Sequence, residues 1–133
     1  MWRLYELLPS EAANGIVIAW RNGIRSERLR IKVWNVFSTR WHHMMRLNQG
    51  QWPPTWTTQL VGYPGIYEMR LKVSQHQYRP LFVFGPGQAQ ITFVFMADEV
   101  GDEFVPRDAP NRAEHARTEV MNGECEIREL EIE

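Results

Sequence analysis

Cysteine is nearly absent from this chain: Cys125 stands alone. One cysteine excludes an internal disulfide framework and suits a reducing compartment, so a cytoplasmic location is the expectation. A lone thiol with no partner placed beside it is read as inert. Long apolar runs are missing as well. Nothing approaches the roughly 20 apolar residues of a membrane-spanning helix, and Arg3, Glu6 and Pro9 interrupt the only apolar stretch at the N-terminus, so neither a membrane span nor a leader is expected. Several chemical signatures are missing too: no P-loop, no GxGxxG, no GxSxG, no HExxH and no CxxC. His42 and His43 are adjacent, and adjacent helical residues point about 100° apart, so they do not share one ion. Metal ligation and a bound cofactor are therefore not expected, and neither covalent nor metal-assisted hydrolysis has support. No internal repeat is visible.

What is present is a folding composition. Of 133 residues, 44% are hydrophobic and 12% aromatic, which argues for one packed domain over residues 1–133. The net charge of −1 conceals a split. Residues 1–97 carry 11 Lys/Arg against 4 Asp/Glu, and residues 98–133 carry 4 against 12. A basic body with an acidic C-terminal portion, from 97 to 133, points to a polyanionic partner or to an electrostatic contact within the chain. Solubility alone is the bland explanation of such a tail.

The segment from Gly65 to Met96 reads as three strands joined by two tight turns, SQHQ at 74–77 and GPGQ at 85–88. Connections this short require an antiparallel meander. With four-residue loops, Val73 pairs with Tyr78, Leu71 with Pro80, Met69 with Phe82 and Tyr67 with Phe84. On the third strand Phe84 pairs with Ala89, Phe82 with Ile91, Pro80 with Phe93 and Tyr78 with Phe95. All of these residues share one apolar face, because side chains alternate with period two. The opposite face carries Glu68, Arg70, Lys72, Arg79, Leu81, Val83, Gln90, Thr92, Val94 and Met96. Like charges facing one another are unfavourable, so Arg70, Lys72 and Arg79 form a candidate anion site, unless Glu68 neutralises part of it. Pro80 conflicts with a central strand, since it donates nothing to a ladder; a bulge or another strand order would remove the conflict.

Before the meander, residues 2–8 read as a strand ended by Pro9. Residues 10–20 read as a weak helix in which IVIAW suits a strand equally well. Asn22-Gly23 is a turn and Ser26 an N-cap. The clearest helix follows. Leu29, Val33, Val36, Phe37, Trp41 and Met44 or Met45 recur at helical spacing, and their partner is the apolar sheet face. Met69, Leu71, Phe82, Ile91 and Phe93 are expected to pack on Val33, Phe37 and Trp41. The other side of the helix carries Arg28, Arg30, Lys32, Arg40 and Arg46, candidates for contact with a nucleic-acid backbone; a plain solvated face is the more common case. Residues 48–64 read as a loop in which Trp52 and Trp56 either stack on bases or pin the loop to the body. Residues 97–110 read as irregular. Asp108 is a candidate cap for a helix from Ala109 to Met121, stopped by Asn122-Gly123. The final ECEIRELEIE alternates like an acidic edge strand.

Taken together, GIYEMRLKV, QYRPLFVFGPG and ITFVFMADEVGDEFVPRDAPNRAEHARTEV resemble the phage-derived, HigB-like branch of the RelE/ParE superfamily of bacterial toxins. The likeness covers about half the chain, residues 60–126. It lies in Glu68-x-Arg70, Tyr78-Arg79-Pro80, the Phe84–Gly87 turn and the Pro106–Ala109 run. The resemblance implies an α+β, RelE-like fold with N-terminal helices on a small antiparallel sheet and a further C-terminal helix. It also implies a ribosome-dependent mRNA endonuclease that works without metal or cofactor. In such toxins the 2′-hydroxyl attacks the adjacent phosphate, and Arg70 and Arg79 are the matching positions, with Lys72 beside them as the third candidate catalytic residue. mRNA on the ribosome and a helix-turn-helix antitoxin are the implied partners. The chain departs from the pattern where ADEVGDE replaces a lysine-rich segment and where Ile127 follows Cys125-Glu126. A catalytically silent RelE-fold protein of phage or prophage origin, acting as a protein-binding module, is the competing expectation.

Overall fold

The computed structural model of the protein describes residues 1–132. Its elements are β1 (Arg3–Leu8), α1 (Ile16–Asn22), α2 (Glu27–Met44), β2 (Thr57–Leu60), β3 (Tyr63–Met69), β4 (Leu71–Val73), β5 (His76–Phe84), β6 (Gln90–Val100), β7 (Glu103–Val105), α3 (Ala109–Met121) and β8 (Glu126–Glu129). The eight strands form one open sheet in the order β2-β3-β5-β6-β1-β8, with β4 paired to β5 and β7 paired to β6. β1 runs parallel to β6, and the other pairs are antiparallel. The mixed α and β content agrees with the expected class. The sheet is larger than the meander, because β1, β2, β7 and β8 extend it.

α2 forms for the reasons its sequence gives. Ser26 Oγ accepts the Leu29 amide at 3.2 Å, and Glu27 sits in the first turn, where a carboxylate suits the helix dipole. Val33, Phe37, Trp41 and Met44 are buried at spacings of four, four and three. They pack against Met69, Leu71, Phe82, Ile91 and Phe93, the expected partners. α1 forms for a different reason. Glu6, wholly buried on β1, accepts the amides of Val17 at 2.8 Å and Ile18 at 3.2 Å. Its carboxyl group lies so close to Gly15 that a Cβ there would come within 2.1 Å of Glu6 Cδ. Only glycine fits.

The expected register is corrected by two residues in the first hairpin, and in the second by two up to a bulge and by three beyond it. The first turn is only Ser74-Gln75, both at positive φ (50° and 67°), so Val73 pairs with His76 and Leu71 with Tyr78. The second loop is longer, so Phe84 pairs with Ile91 and Phe82 with Phe93. A shift of two leaves the side chains up to Phe93 on their expected faces, which is why the core survives the error, whereas Phe95 and Met96 exchange the faces expected for them. A bulge at Val94 then turns both Val94 and Phe95 toward one side and Met96 toward the other. Pro80 falls where the neighbouring ladder breaks: Arg70 separates β3 from β4, and its amide donates instead to Trp56 O at 2.7 Å.

Two further expectations change. Residues 48–64 hold β2 and the start of β3, and residues 97–110 hold the end of β6 and all of β7. The sheet's second face is also not simply open. Ala109, Ala113 and Val120 of α3 lie over Ile66, Leu81, Val83 and Val94, so helices cover both faces. Asp108 makes no side-chain cap; its carboxylate takes Arg112 Nε at 2.9 Å. β8 forms an edge strand against β1, and Glu133 lies outside the described residues. Among the described residues no helix is long and apolar enough to cross a membrane.

Candidate functional site

Beyond the strip covered by α3, the same sheet face ends in charge. Alternation along β3 and β5 places Glu68 and Arg79 there, beside the break that frees Arg70. Arg79 is only 3% exposed. Its Nη1 donates to Tyr78 O at 2.9 Å, and its Nη2 donates to Gln77 Oε1 and, at 3.4 Å, to Glu99 Oε2. Its Nε lies 3.4 Å from Glu99 Oε1 and 3.9 Å from Glu68 Oε2, yet donates to neither. Arg70 Nη1 reaches Glu68 Oε1 at 3.2 Å from a side chain about two-fifths exposed. Lys72 is exposed between buried Leu71 and Val73, opposite Gln77 in the register.

The candidate cation cluster is therefore drawn together around a carboxylate. Glu68 is buried, and burial pushes its carboxyl above the ordinary carboxylate value; Arg70 and Arg79 pull against that, and Glu99 adds to it. Arg79 is not an exposed cation, contrary to the open face expected for it. Its guanidinium is sealed between two acids, so it fixes their positions. Arg70 and Lys72 are the members that solvent reaches. Gln77 and Glu99 belong to the cluster but were not among the residues singled out in the sequence. Glu99 had a readable signal: it follows Ala97 at strand spacing in a segment whose composition alone suggested a loop. The acidic segment does meet the basic body, with Glu99 on Arg79 and Asp98 Oδ1 3.1 Å from His76 Nε2.

The four α2 cations and Arg46 lie on the other side of the sheet, and their side chains do not join this cluster. Arg30 Nη1 donates to Ile24 O at 3.0 Å. Arg40 Nη1 donates to Arg70 O at 2.6 Å, and burial lowers its pKa. Arg28 and Lys32 are exposed beside Ser74, and Arg46 is exposed past the helix end beside the first strand. The two loop tryptophans separate. Trp52 is buried and donates to Met44 O at 2.9 Å, so it pins the loop. Trp56 stays half-buried at the surface, beneath Arg40.

Cys125 is half-buried; burial, then Glu119 and Glu124, push its thiol pKa up, the direction that disfavours the thiolate. Among the described residues no three His, Cys, Asp or Glu side chains are grouped to hold a metal ion. Comparison with known proteins adds nothing to this geometry: no family model, no curated protein and no solved structure matches the chain.

Proposed function

We propose that the chain is a type II toxin of the RelE/ParE kind, a ribosome-dependent mRNA endonuclease that cleaves without a metal ion. The observation that carries the reading is the convergence of Arg70 and Arg79 on the Glu68 carboxylate, with exposed Lys72 on the same face. In this mechanism the 2′-hydroxyl oxygen of the substrate attacks the adjacent phosphorus to form a 2′,3′-cyclic phosphate, the bond to the 5′-oxygen breaks, and that oxygen takes a proton from solvent. Ionised Glu68 accepts the 2′ proton, and its raised pKa makes it a better base than an ordinary carboxylate. Arg70 swings from Glu68 to the phosphate, which uncovers the base, and Lys72 shares the charge that grows on the phosphoryl oxygens. Arg79 keeps Glu68 in place. A small helix-turn-helix antitoxin holds the toxin inactive.

Induced expression tests this directly. Growth should stop, co-expression of the antitoxin should restore it, and a translating extract should show mRNA cut only on ribosomes. Lys72→Ala and Arg70→Ala should each lower the cleavage rate by roughly a hundred-fold. Arg79→Ala is the poorer probe, because its loss strands buried acids and disturbs the fold. A parent protein that neither arrests growth nor cuts message sinks the reading.

One observation favours the alternative of a silent binding module. Arg79 is sealed and matched by Glu68 and Glu99, which is how a structural ion network is built. A protein partner that binds the parent and the Lys72→Ala variant equally, with no cleavage by either, is what that reading expects.

A further inference from the structure

Trp56 lies at the mouth of a groove of about 380 Å³, walled by Asn35, Val36, Thr39, Arg40 and His43 of α2. The Arg40 guanidinium carbon stands 5.2 Å from the Trp56 ring centre, and the His43 ring centre stands 5.9 Å from it. No acid lines the groove, and among the described residues neither Arg40 nor His43 has an acidic partner. Exposed Arg28 and Lys32 lie further toward the start of the same helix. A half-buried indole with a cation over its face and no carboxylate within the groove suits a flat π system that carries negative charge.

The groove is also wired to the candidate cluster. Trp56 O accepts the Arg70 amide at 2.7 Å, and Arg40 Nη1 donates to Arg70 O at 2.6 Å. Arg70 then sends its side chain to Glu68 on the opposite sheet face. Both walls of the groove thus hold the backbone of a residue in the proposed active site, at the point where β3 and β4 part. β4 pairs only with β5, so no strand lies along its other edge.

We infer that Trp56, with Arg40 and His43, is a stacking platform for one unpaired base of single-stranded RNA, whose backbone then crosses the β4 edge toward Arg70 and Lys72. This deepens the nuclease reading and rests on RNA being the substrate. Stacking on an aromatic ring tolerates any base, so the platform sets the path of the strand more than its sequence.

The test uses the full-length protein and a short fluorescein-labelled oligouridylate, at low salt and without ribosomes. Trp56→Ala should weaken binding roughly ten-fold or more, and Trp56→Phe should restore most of it. The salt slope should be the same in both, because no phosphate contact is removed. Thr39→Glu and Asn35→Glu, both at exposed helix positions, provide variants that keep the fold and should abolish binding by charge. A 5-iodouridine version of the oligonucleotide should cross-link to the peptide carrying Trp56. Full binding by Trp56→Ala, no binding by the parent, or cross-links only to other peptides overturns the inference. If Trp56-dependent binding is found but no message is ever cut, the platform stands and the nuclease reading falls. If cleavage is robust and Trp56→Ala binds and cuts as the parent does, the reverse holds.

Discussion

Glu68 is the residue on which the site's chemistry and stability meet. It is buried, it faces two guanidinium groups, and burial outweighs their pull, so its carboxyl titrates above the ordinary value of about 4.5. The folded state then holds a proton at pH values where the unfolded chain has lost it. Stability therefore falls as pH rises from about 4.5 through the folded value, and this contribution is flat below that window. Denaturant midpoints across pH should show the parent losing ground to Glu68→Gln as pH rises through the window. A parent that gains ground there would mean the arginines dominate. On the nuclease reading cleavage should move the opposite way, rising with pH through the same value, because in that mechanism only ionised Glu68 can accept the 2′ proton. The neighbouring Arg79 shows why charge alone misleads at this scale. Three cations on a face read as an anion site, but alternation says nothing about which of them is sealed by Glu68 and Glu99.

At the level of elements, α2 and its sheet partners should be the most sensitive part of the chain. Phe37 is fully buried, stacks on Trp34 and tilts against Trp20 and Phe93. Phe37→Ala should cost about 3–5 kcal/mol, seen as a lower denaturant midpoint with an unchanged slope. A loss under 1 kcal/mol would mean the cluster does not hold the fold. α2 was legible because its signals are local: a serine cap, an acidic first turn and apolar residues at helical spacing. α1 was not, because its start is fixed by Glu6, which lies on β1 well before it in sequence. The cover that α3 gives to the second sheet face was hidden for another reason. It packs largely through Ala109 and Ala113, whose small side chains carry little hydrophobic signal. Leu81, Val83 and Val94 had been placed on that face, and their apolar character already called for a cover. β7 was lost inside an acidic stretch that composition marked as loop, although Gly101-Asp102, both at positive φ, make the turn of a hairpin. In the site, Arg70, Lys72 and Arg79 were found from strand alternation, whereas Gln77 and Glu99 required the true register.

Across the whole molecule, the split between basic body and acidic C-terminal portion becomes a contact. The β6–β7 hairpin brings Glu99 onto Arg79 and Asp98 onto His76, while Glu103 pairs with Arg107 at 3.1 Å. The hairpin thus sets carboxylates beside the proposed phosphate site, where on the nuclease reading they would repel RNA and balance the cations. Because hairpin and body are one chain, the local concentration of these acids is high and dilution does not relieve it. Changing Asp98, Glu99, Asp102 and Glu103 to Asn and Gln keeps the shapes and removes the charge. At fixed low salt, the neutralised protein should bind RNA more tightly than the parent. Exposed charges are screened beyond about 10 Å at 0.1 M salt, so the gap should narrow as salt rises. RNA affinity itself also falls with salt, and more steeply as more phosphates are engaged, so the comparison is made between proteins at one salt concentration. Glu99→Gln alone should account for most of the gain, because Glu99 is the one of these four acids that touches Arg79. Equal affinity of parent and neutralised protein would make the hairpin a solvated turn with no masking role. No RNA binding by either would instead favour the silent protein-binding module, with Glu99 and Arg79 serving only to hold β5 against β6.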